Sequence, residues 1–516
     1  MGDARSDRSL SDLDTTFLLL VLRATVVAVA VVTFLAHAWI SDDALITLRS
    51  VANAVVGNGP TFNPWEMVQS YSHPLWFLLL VAGSSVFLAP IHWAVGLGIL
   101  FSLLLLLVVL RAAQGDVLLG ATAVLVLISL PAVVEWTTSG LENSLAMLLV
   151  ATLARIAILP REGRFRPEVL GVVAAALILT RFDLALIAGP LALAWAWRRQ
   201  PMHIVRAAIS GAVPLLMWFA WARYTYGYVL PNTFYAKLNV DIPTHELFIQ
   251  GVSYLRLGFA RHPLMVVVLV STVLTLTMSR FGLTPASRWG TLAAGTLYIL
   301  YVIRIGGDFM EGRFLGVVLV LLVVVAMTDI AVRSSGTERN LVAGVGTRAF
   351  AGSMAIGVSI ALVSGSPVPW QSEALSGERW SYKASGYADV ADERGYFIDR
   401  GQSFWNGQEI RHLDGLFRGF SVADDLPAAV EVACGGLGLK GLRAGSTVHV
   451  IDVCALTDPV LARIAYQERN FRWRAGHYRR PIPDGYIEAV ATADLSRIVD
   501  PSVRAHVEAV WDVVRR

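Results

Sequence analysis

Two adjacent carboxylates, Asp42 and Asp43, stand directly behind the first long apolar stretch, in Trp39-Ile-Ser-Asp-Asp-Ala-Leu-Ile-Thr-Leu-Arg49. Carboxylates at a membrane boundary are costly unless they have partners or a task. Ala44, Leu45, Ile46 and Leu48 predict a short interfacial helix with the two aspartates at its start. Capping and the helix dipole favour carboxylates there, so one of the pair can be purely structural. The other is then free for catalysis, and Asp42 is taken first for that role, with Asp43 beside it. The segment runs on through Asn58-Gly-Pro-Thr-Phe-Asn-Pro-Trp-Glu66 to Tyr71-Ser-His-Pro-Leu-Trp76. Gly and Pro set turns here, and Trp and Tyr suit the headgroup layer. His73, before the helix-opening Pro74, is read either as a structural donor or as part of a site with the aspartates.

Elements that could position such a loop are legible from composition. The chain has 516 residues, of which 55% are hydrophobic and 16% charged. Soluble domains carry roughly 25% charged residues, and the deficit here belongs to residues 15–368. This excludes a soluble enzyme, and the net charge of +3 gives no footing for nucleic acid. A bilayer core of about 30 Å needs roughly 20 apolar residues per helix. The apolar segments begin with Thr15–Ala36 and end with Phe314–Ile330 and Phe350–Val363. Leu18–Val32 lacks the basic start and small-residue cleavage site of a signal peptide, so it reads as a retained first span.

Arg111, Arg161/Arg164/Arg166, Arg198/Arg199/Arg206, Arg280/Arg288 and Arg333/Arg339/Arg348 mark cytoplasmic boundaries by the positive-inside rule. The alternate boundaries face outward. One conflict stands: residues 74–110 should cross an odd number of times, yet they read as two helices. The expectation is a polytopic α-helical membrane protein with about eleven crossings. It has a cytoplasmic tail (1–14), a membrane domain (15–368) whose first outward loop is 37–74, and an outward C-terminal α/β cap domain (369–516). In that cap, Ala429–Ala433 and Thr447–Val453 read as paired strands around a Gly-rich stretch. Cys434 and Cys454 end them, either as one disulfide or as two buried thiols.

These motifs, in this order, carry a resemblance. After the Asp42–Arg49, Asn58-Gly-Pro and Tyr71–Trp76 segments come Ser139-Gly-Leu-Glu142, Thr180-Arg-Phe-Asp183, Pro231-Asn-Thr-Phe-Tyr-Ala-Lys237 and Gly306-Gly-Asp-Phe-Met-Glu-Gly-Arg313. Ile451-Asp-Val-Cys-Ala-Leu-Thr-Asp-Pro459, Ala462-Arg463, Arg474-Ala-Gly-His477 and Pro483-Asp-Gly-Tyr486 complete the set. Together they resemble the GT-C glycosyltransferases, and within them the mycobacterial-type terminal β-(1→2)-arabinofuranosyltransferases. Phe182 and Glu311 replace prolines common in that family, which alters turns rather than charges.

The resemblance implies a GT-C fold in the plasma membrane with its site facing the periplasm. It implies a decaprenylphosphoryl-arabinose donor, an arabinan acceptor in arabinogalactan or lipoarabinomannan, and membrane lipids as surroundings. Such transfer needs a carboxylate at the anomeric carbon, cations for the departing phosphate and an apolar groove for the polyprenyl chain. Asp42 and Asp43 supply the first. Arg49, Lys237, Arg304 and Arg313 are the phosphate candidates, with Tyr71, His73, Glu142 and Asp308 on the donor side. Arg313 and Asp308 can equally pair with each other. Trp405, Trp473 and His477 are the acceptor candidates in the cap. No dense ligand cluster stands in the sequence, so no cofactor is assigned, although some GT-C enzymes bind a divalent cation near this loop. Another polyprenyl-phosphosugar transferase, such as a mannosyltransferase, or a non-catalytic envelope scaffold are the alternatives.

Overall fold

The computed structural model describes residues 4–86, 89–159, 166–197, 199–278, 282–334, 352, 390–405, 408–466 and 473–515. The expected apolar segment Phe350–Val363, apart from Gly352, and the expected domain boundary at 368 lie outside them, as do Arg161, Arg164, Arg198, Arg280, Arg339 and Arg348.

Fifteen helices form the first part among the described residues. They are α1 (Ala4–Ala36), α2 (Asp42–Val56), α3 (Pro74–Ser84), α4 (Pro90–Ala112), α5 (Val117–Ile128), α6 (Pro131–Thr137), α7 (Asn143–Ile158) and α8 (Pro167–Thr180). There follow α9 (Ala185–Ala196), α10 (Pro201–Tyr226), α11 (Asn232–Leu238), α12 (Thr244–Arg261), α13 (Pro263–Met278), α14 (Pro285–Arg304) and α15 (Leu315–Ser334). Proline punctuates this series. It opens α3, α4, α6, α8, α10, α13 and α14, because its fixed φ suits the first turn and its missing N–H costs nothing there.

Among the described residues four helices are long and apolar enough to cross a membrane: Phe17–Ala36, Pro90–Ala112, Pro201–Tyr226 and Leu315–Arg333. Two bent pairs, α5 with α6 (74°) and α12 with α13 (101°), raise this to six if each is one span. This is the pattern of a polytopic membrane protein. Where the sequence left residues 74–110 in conflict, α3 has 11 residues and α4 has 23. At 1.5 Å per residue only the second reaches across a 30 Å core. The α15 helix is sheathed by its neighbours along nearly its whole length, whereas α10 leaves Ile209, Val213, Leu216 and Met217 exposed on the outside. Small residues allow close crossings: a Cβ on Gly171 of α8 would stand 2.0 Å from the Ala207 carbonyl of α10.

The second part holds α16 (Glu393–Ile398), α17 (Gln408–Leu416), β1 (Ala429–Ala433), α18 (Leu437–Ala444), β2 (Val448–Asp452), α19 (Tyr486–Thr492) and α20 (Pro501–Val514). The expected strands are present, and they pair in parallel, with Ala429 opposite Val448 and Ala433 opposite Asp452. A parallel pair needs a crossover, and α18 supplies it. The Gly-rich stretch is therefore a helix, which the sequence reading missed. Gly438 and Gly441 are there for packing. A Cβ at Gly438 would meet the Asp42 carbonyl at 1.9 Å, and one at Gly441 would meet Phe62 at 2.6 Å. Cys434 and Cys454 are joined by a disulfide, with Cα atoms 5.2 Å apart.

Candidate functional site

Helix α2 begins at Asp42, with Ser41 as N-cap accepting from the Ala44 N–H at 3.2 Å. Successive residues on a helix point about 100° apart, so the two aspartates part company at once. Asp42 turns to helix α18 in the C-terminal part of the chain, where Oδ2 accepts from the Gly438 N–H (3.0 Å) and Oδ1 from the Leu439 N–H (2.8 Å). Burial pushes its carboxyl up to about 6, against the pull of those two N–H groups. Asp43 turns instead to the loop after α14. Its Oδ2 lies 3.5 Å from Arg313 Nη1, and its side chain keeps 28% of its surface open.

Arg313 is the hub. Beyond Asp43 it reaches Asp308 (Nη1–Oδ2 3.7 Å) and Glu142 (Nη2–Oε1 3.8 Å). The loop that presents it turns on Gly306, Gly307 and Gly312, all at positive φ, where a side chain is strained. It is tied by Asn143 Nδ2 donating to the Arg313 carbonyl (3.2 Å) and by the Tyr254 hydroxyl donating to the Met310 carbonyl (3.2 Å). A backbone pair with Ala391 joins it to the second part of the chain. Glu311, where the family pattern has proline, binds Arg261 (2.9 Å) and His262 (3.1 Å).

Glu142 sits behind Arg313, 3.4 Å from His73 Nδ1 and 3.9 Å from Arg181 Nε. Burial opposes its ionisation, yet His73, Arg313 and Arg181 hold its carboxyl below the usual range. The other ring nitrogen of His73 faces the Thr47 hydroxyl at 2.9 Å. Arg181 clasps Asp183 (2.6 Å), as a structural pair would, and donates to the Tyr298 hydroxyl (3.1 Å). Burial drives the Asp308 carboxyl up, against Arg313 and Lys237. Lys237 lies exposed on α11 and its charge is felt by both Asp308 and Asp43.

The opposite wall comes from the C-terminal part. His477 packs edge-on to Phe309, with ring centroids 4.5 Å apart. Burial and the neighbouring Arg474 bring its imidazole down to about 4, so it is neutral near pH 7. Arg474 pairs with Glu393 (2.8 Å) and lies over the Phe309 ring. Burial lifts the Glu393 carboxyl to about 8 against that arginine, and Asp43, Asp42 and Asp308 add to the lift.

Of the residues singled out by sequence, Asp43, His73, Glu142, Lys237, Asp308, Arg313 and His477 are thus gathered. Others are not. Arg49 is fully buried on the Asp42 face of α2, donating to the Val448 carbonyl (2.8 Å) with its guanidinium over Phe62. Tyr71 stacks on Phe77 and bonds the Tyr226 hydroxyl (2.7 Å). Arg304 ends α14 exposed, and Trp405 lies exposed at the end of α1, donating to the Leu35 carbonyl. Trp473 is buried, closing on Gly306 and donating to Glu246 (3.3 Å). Thr47, Glu393 and Arg474 were missed. Thr47 was within reach, four residues after Asp43 and so on the same helix face. Glu393 and Arg474 come together only through the tertiary fold.

Among the described residues no group of three or more His, Cys, Asp or Glu side chains could hold a metal ion, and Arg313 and Lys237 already place positive charge beside Asp43.

No family model matches the chain. It is 30% identical over 323 residues, 54% of its length, to the terminal β-(1→2)-arabinofuranosyltransferase of Mycobacterium tuberculosis, and the match covers 50% of that protein. The chain resembles terminal β-(1→2)-arabinofuranosyltransferases. The protein of that name from Corynebacterium glutamicum is likewise 30% identical, over 320 residues, which are 54% of this chain and 46% of the relative. The chain therefore matches about half the length of each terminal arabinofuranosyltransferase.

Proposed function

We propose that the chain is a membrane arabinofuranosyltransferase. It moves arabinofuranose from decaprenylphosphoryl-arabinose to the termini of cell-wall arabinan, in arabinogalactan and lipoarabinomannan, forming a β-(1→2) linkage. The observation that carries this reading is Arg313 set beside a partly open Asp43, in segments that resemble the arabinofuranosyltransferases. A carboxylate and a guanidinium side by side match a reaction in which a sugar carbon gains positive charge while a phosphate leaves.

Asp43 is the carboxylate that meets the anomeric carbon. Arg313 and Lys237 take the phosphate oxygens, and Glu142, His73 and Arg181 fix Arg313 from behind. The bond from C1 to the phosphate oxygen breaks, giving decaprenyl phosphate, and a bond from C1 to the acceptor oxygen forms. A β-linked donor giving a β-linked product means net retention. Asp43 then forms a transient glycosyl ester, whose C1–Oδ bond breaks as the acceptor oxygen attacks and passes its proton to the bound decaprenyl phosphate, or it stabilises an oxocarbenium-like species attacked from the departing face. In the second route the leaving phosphate receives the acceptor's hydroxyl proton. His477, neutral near pH 7, stands on the acceptor side.

In the plasma membrane this arrangement has residues 1–14 in the cytoplasm, about eleven crossings within 15–368, and residues 369–516 in the periplasm. The test offers the purified protein synthetic polyprenylphosphoryl-arabinofuranose or polyprenylphosphoryl-mannose with a short arabinan, and assigns the product linkage by NMR. A β-(1→2)-arabinofuranosyl product is expected. Mannosyl transfer alone would replace the donor, no transfer with either would support a scaffold, and an α linkage would remove the retaining route.

A further inference from the structure

Helix α18 begins in an unusual way. Its own N-cap is Gly436, held at φ +68° and without a side chain to cap the first turn. The first N–H groups of a helix need acceptors, and an N-cap side chain normally serves the second and third helical residues. In α18 those residues are Gly438 and Leu439, and the oxygens they find belong to Asp42, almost four hundred positions earlier in the chain.

We propose that Asp42 is a positioning residue that caps α18 from outside, locking the C-terminal domain onto α2 so that Asp43 is held at the reaction centre. The clause concerning Asp43 rests on the transfer reaction proposed above; the capping does not.

The rest of the interface is built for this contact. Asp42, Leu45 and Arg49, spaced three and four residues apart, share one face of α2. Gly438 lies against Asp42 and Leu45, and Gly441 against Arg49 and Phe62, each so close that a Cβ would collide. Arg49 donates to the Val448 carbonyl at the start of β2. One face of α2 thus belongs wholly to the βαβ unit, leaving Asp43 and Thr47 to the other face. The βαβ unit is itself braced by the disulfide joining the ends of β1 and β2. His477, Glu393 and Arg474 are carried by the same C-terminal part of the chain. When α18 is seated on Asp42, the two walls of the site stand opposite each other.

The experiment measures hydrogen exchange at residues 437–444 in the detergent-purified full chain, together with transfer kinetics. Asp42→Ala is expected to speed exchange at Gly438 and Leu439 on the order of tenfold, the scale of a lost cap. It is also expected to raise the acceptor KM more than it lowers kcat. Asp42→Asn, with a single carbonyl oxygen, is expected to fall between Ala and wild type in both readouts. Asp43→Asn is expected to leave exchange unchanged. Unaltered exchange in Asp42→Ala overturns the proposal. So does an Asp42→Asn variant with wild-type exchange and abolished turnover, since that would make Asp42 the reacting group. If wild type transfers no arabinose, the exchange result still decides the capping, so the two readings fail separately. Should Asp42→Ala not fold, Gly438→Ala gives a second route: it must displace α18 and is expected to speed exchange at Leu439, and no change there counts against the proposal.

Discussion

A single step along a helix turns a side chain by about 100°, and for Asp42 and Asp43 that step separates contacts to the C-terminal part of the chain from contacts to the loop after α14. Asp42 is spent on backbone N–H groups, whereas Asp43 faces a cation and solvent. Asp43→Asn is therefore expected to cut kcat by about 10²–10⁴-fold, the usual weight of a positioned acid, base or nucleophile, with little change in thermal stability. Glu393 gives a pH signature. Its carboxyl is raised to about 8 in the fold by burial, while its unfolded value is near 4.3. The folded state then holds a proton that the unfolded state has lost, so stability is full below the unfolded value and declines as pH rises toward 8. Glu393→Gln is expected to flatten that decline, which melting curves between pH 5 and 9 would reveal. The sequence made the aspartate pair conspicuous and placed His73, Glu142, Lys237, Asp308 and Arg313 as candidates. It could not divide the work between Asp42 and Asp43, because the partner of each lies about 270 to 400 positions away.

At the scale of elements, the legible features were those encoded locally. Pro74 marked where α3 begins, and β-branched alternation marked both strands. The α18 helix was not legible, since Gly435, Gly436, Gly438 and Gly441 suggest a loop until the surface of α2 is in place. Helix propensity is a weak prior, and here tertiary packing overrides it. Arg49 misled for a related reason: it follows Asp42 by seven residues and so shares its face, away from Asp43. Gly307 offers a test of the loop that presents Arg313. It sits at φ +73°, and a Cβ would approach Tyr254 to 2.6 Å. Gly307→Ala is expected to destabilise by roughly 1–3 kcal/mol and to weaken transfer by displacing Arg313, as melting and kinetics together would show.

For the whole molecule, composition alone separated an apolar helical part from a C-terminal part with a small parallel sheet. Crossings were less legible, because elements such as α12, with Glu246, Arg256 and Arg261, are too polar to mark as spans, yet α12 lies next to apolar α13 across a 101° bend at His262-Pro263. The proposed orientation predicts accessibility. A cysteine at exposed Val499, with the Cys434–Cys454 disulfide left intact and the two cysteines therefore unreactive, is expected to react with a membrane-impermeant maleimide in intact cells. One at Met202 is expected to react only after permeabilisation, and the reverse pattern would invert the topology. Loss of the Cys434–Cys454 disulfide is expected to cost about 3 kcal/mol for a closed loop of this size, read as earlier unfolding of the C-terminal part.

The most direct test of the central claim is transfer of arabinofuranose from synthetic polyprenylphosphoryl-arabinofuranose to a short arabinan by wild type, Asp42→Asn and Asp43→Asn, all shown to be folded. Transfer by wild type, reduced transfer by Asp42→Asn and near-complete loss in Asp43→Asn are expected. Undiminished transfer by folded Asp43→Asn would contradict the claim that this carboxylate does the chemistry.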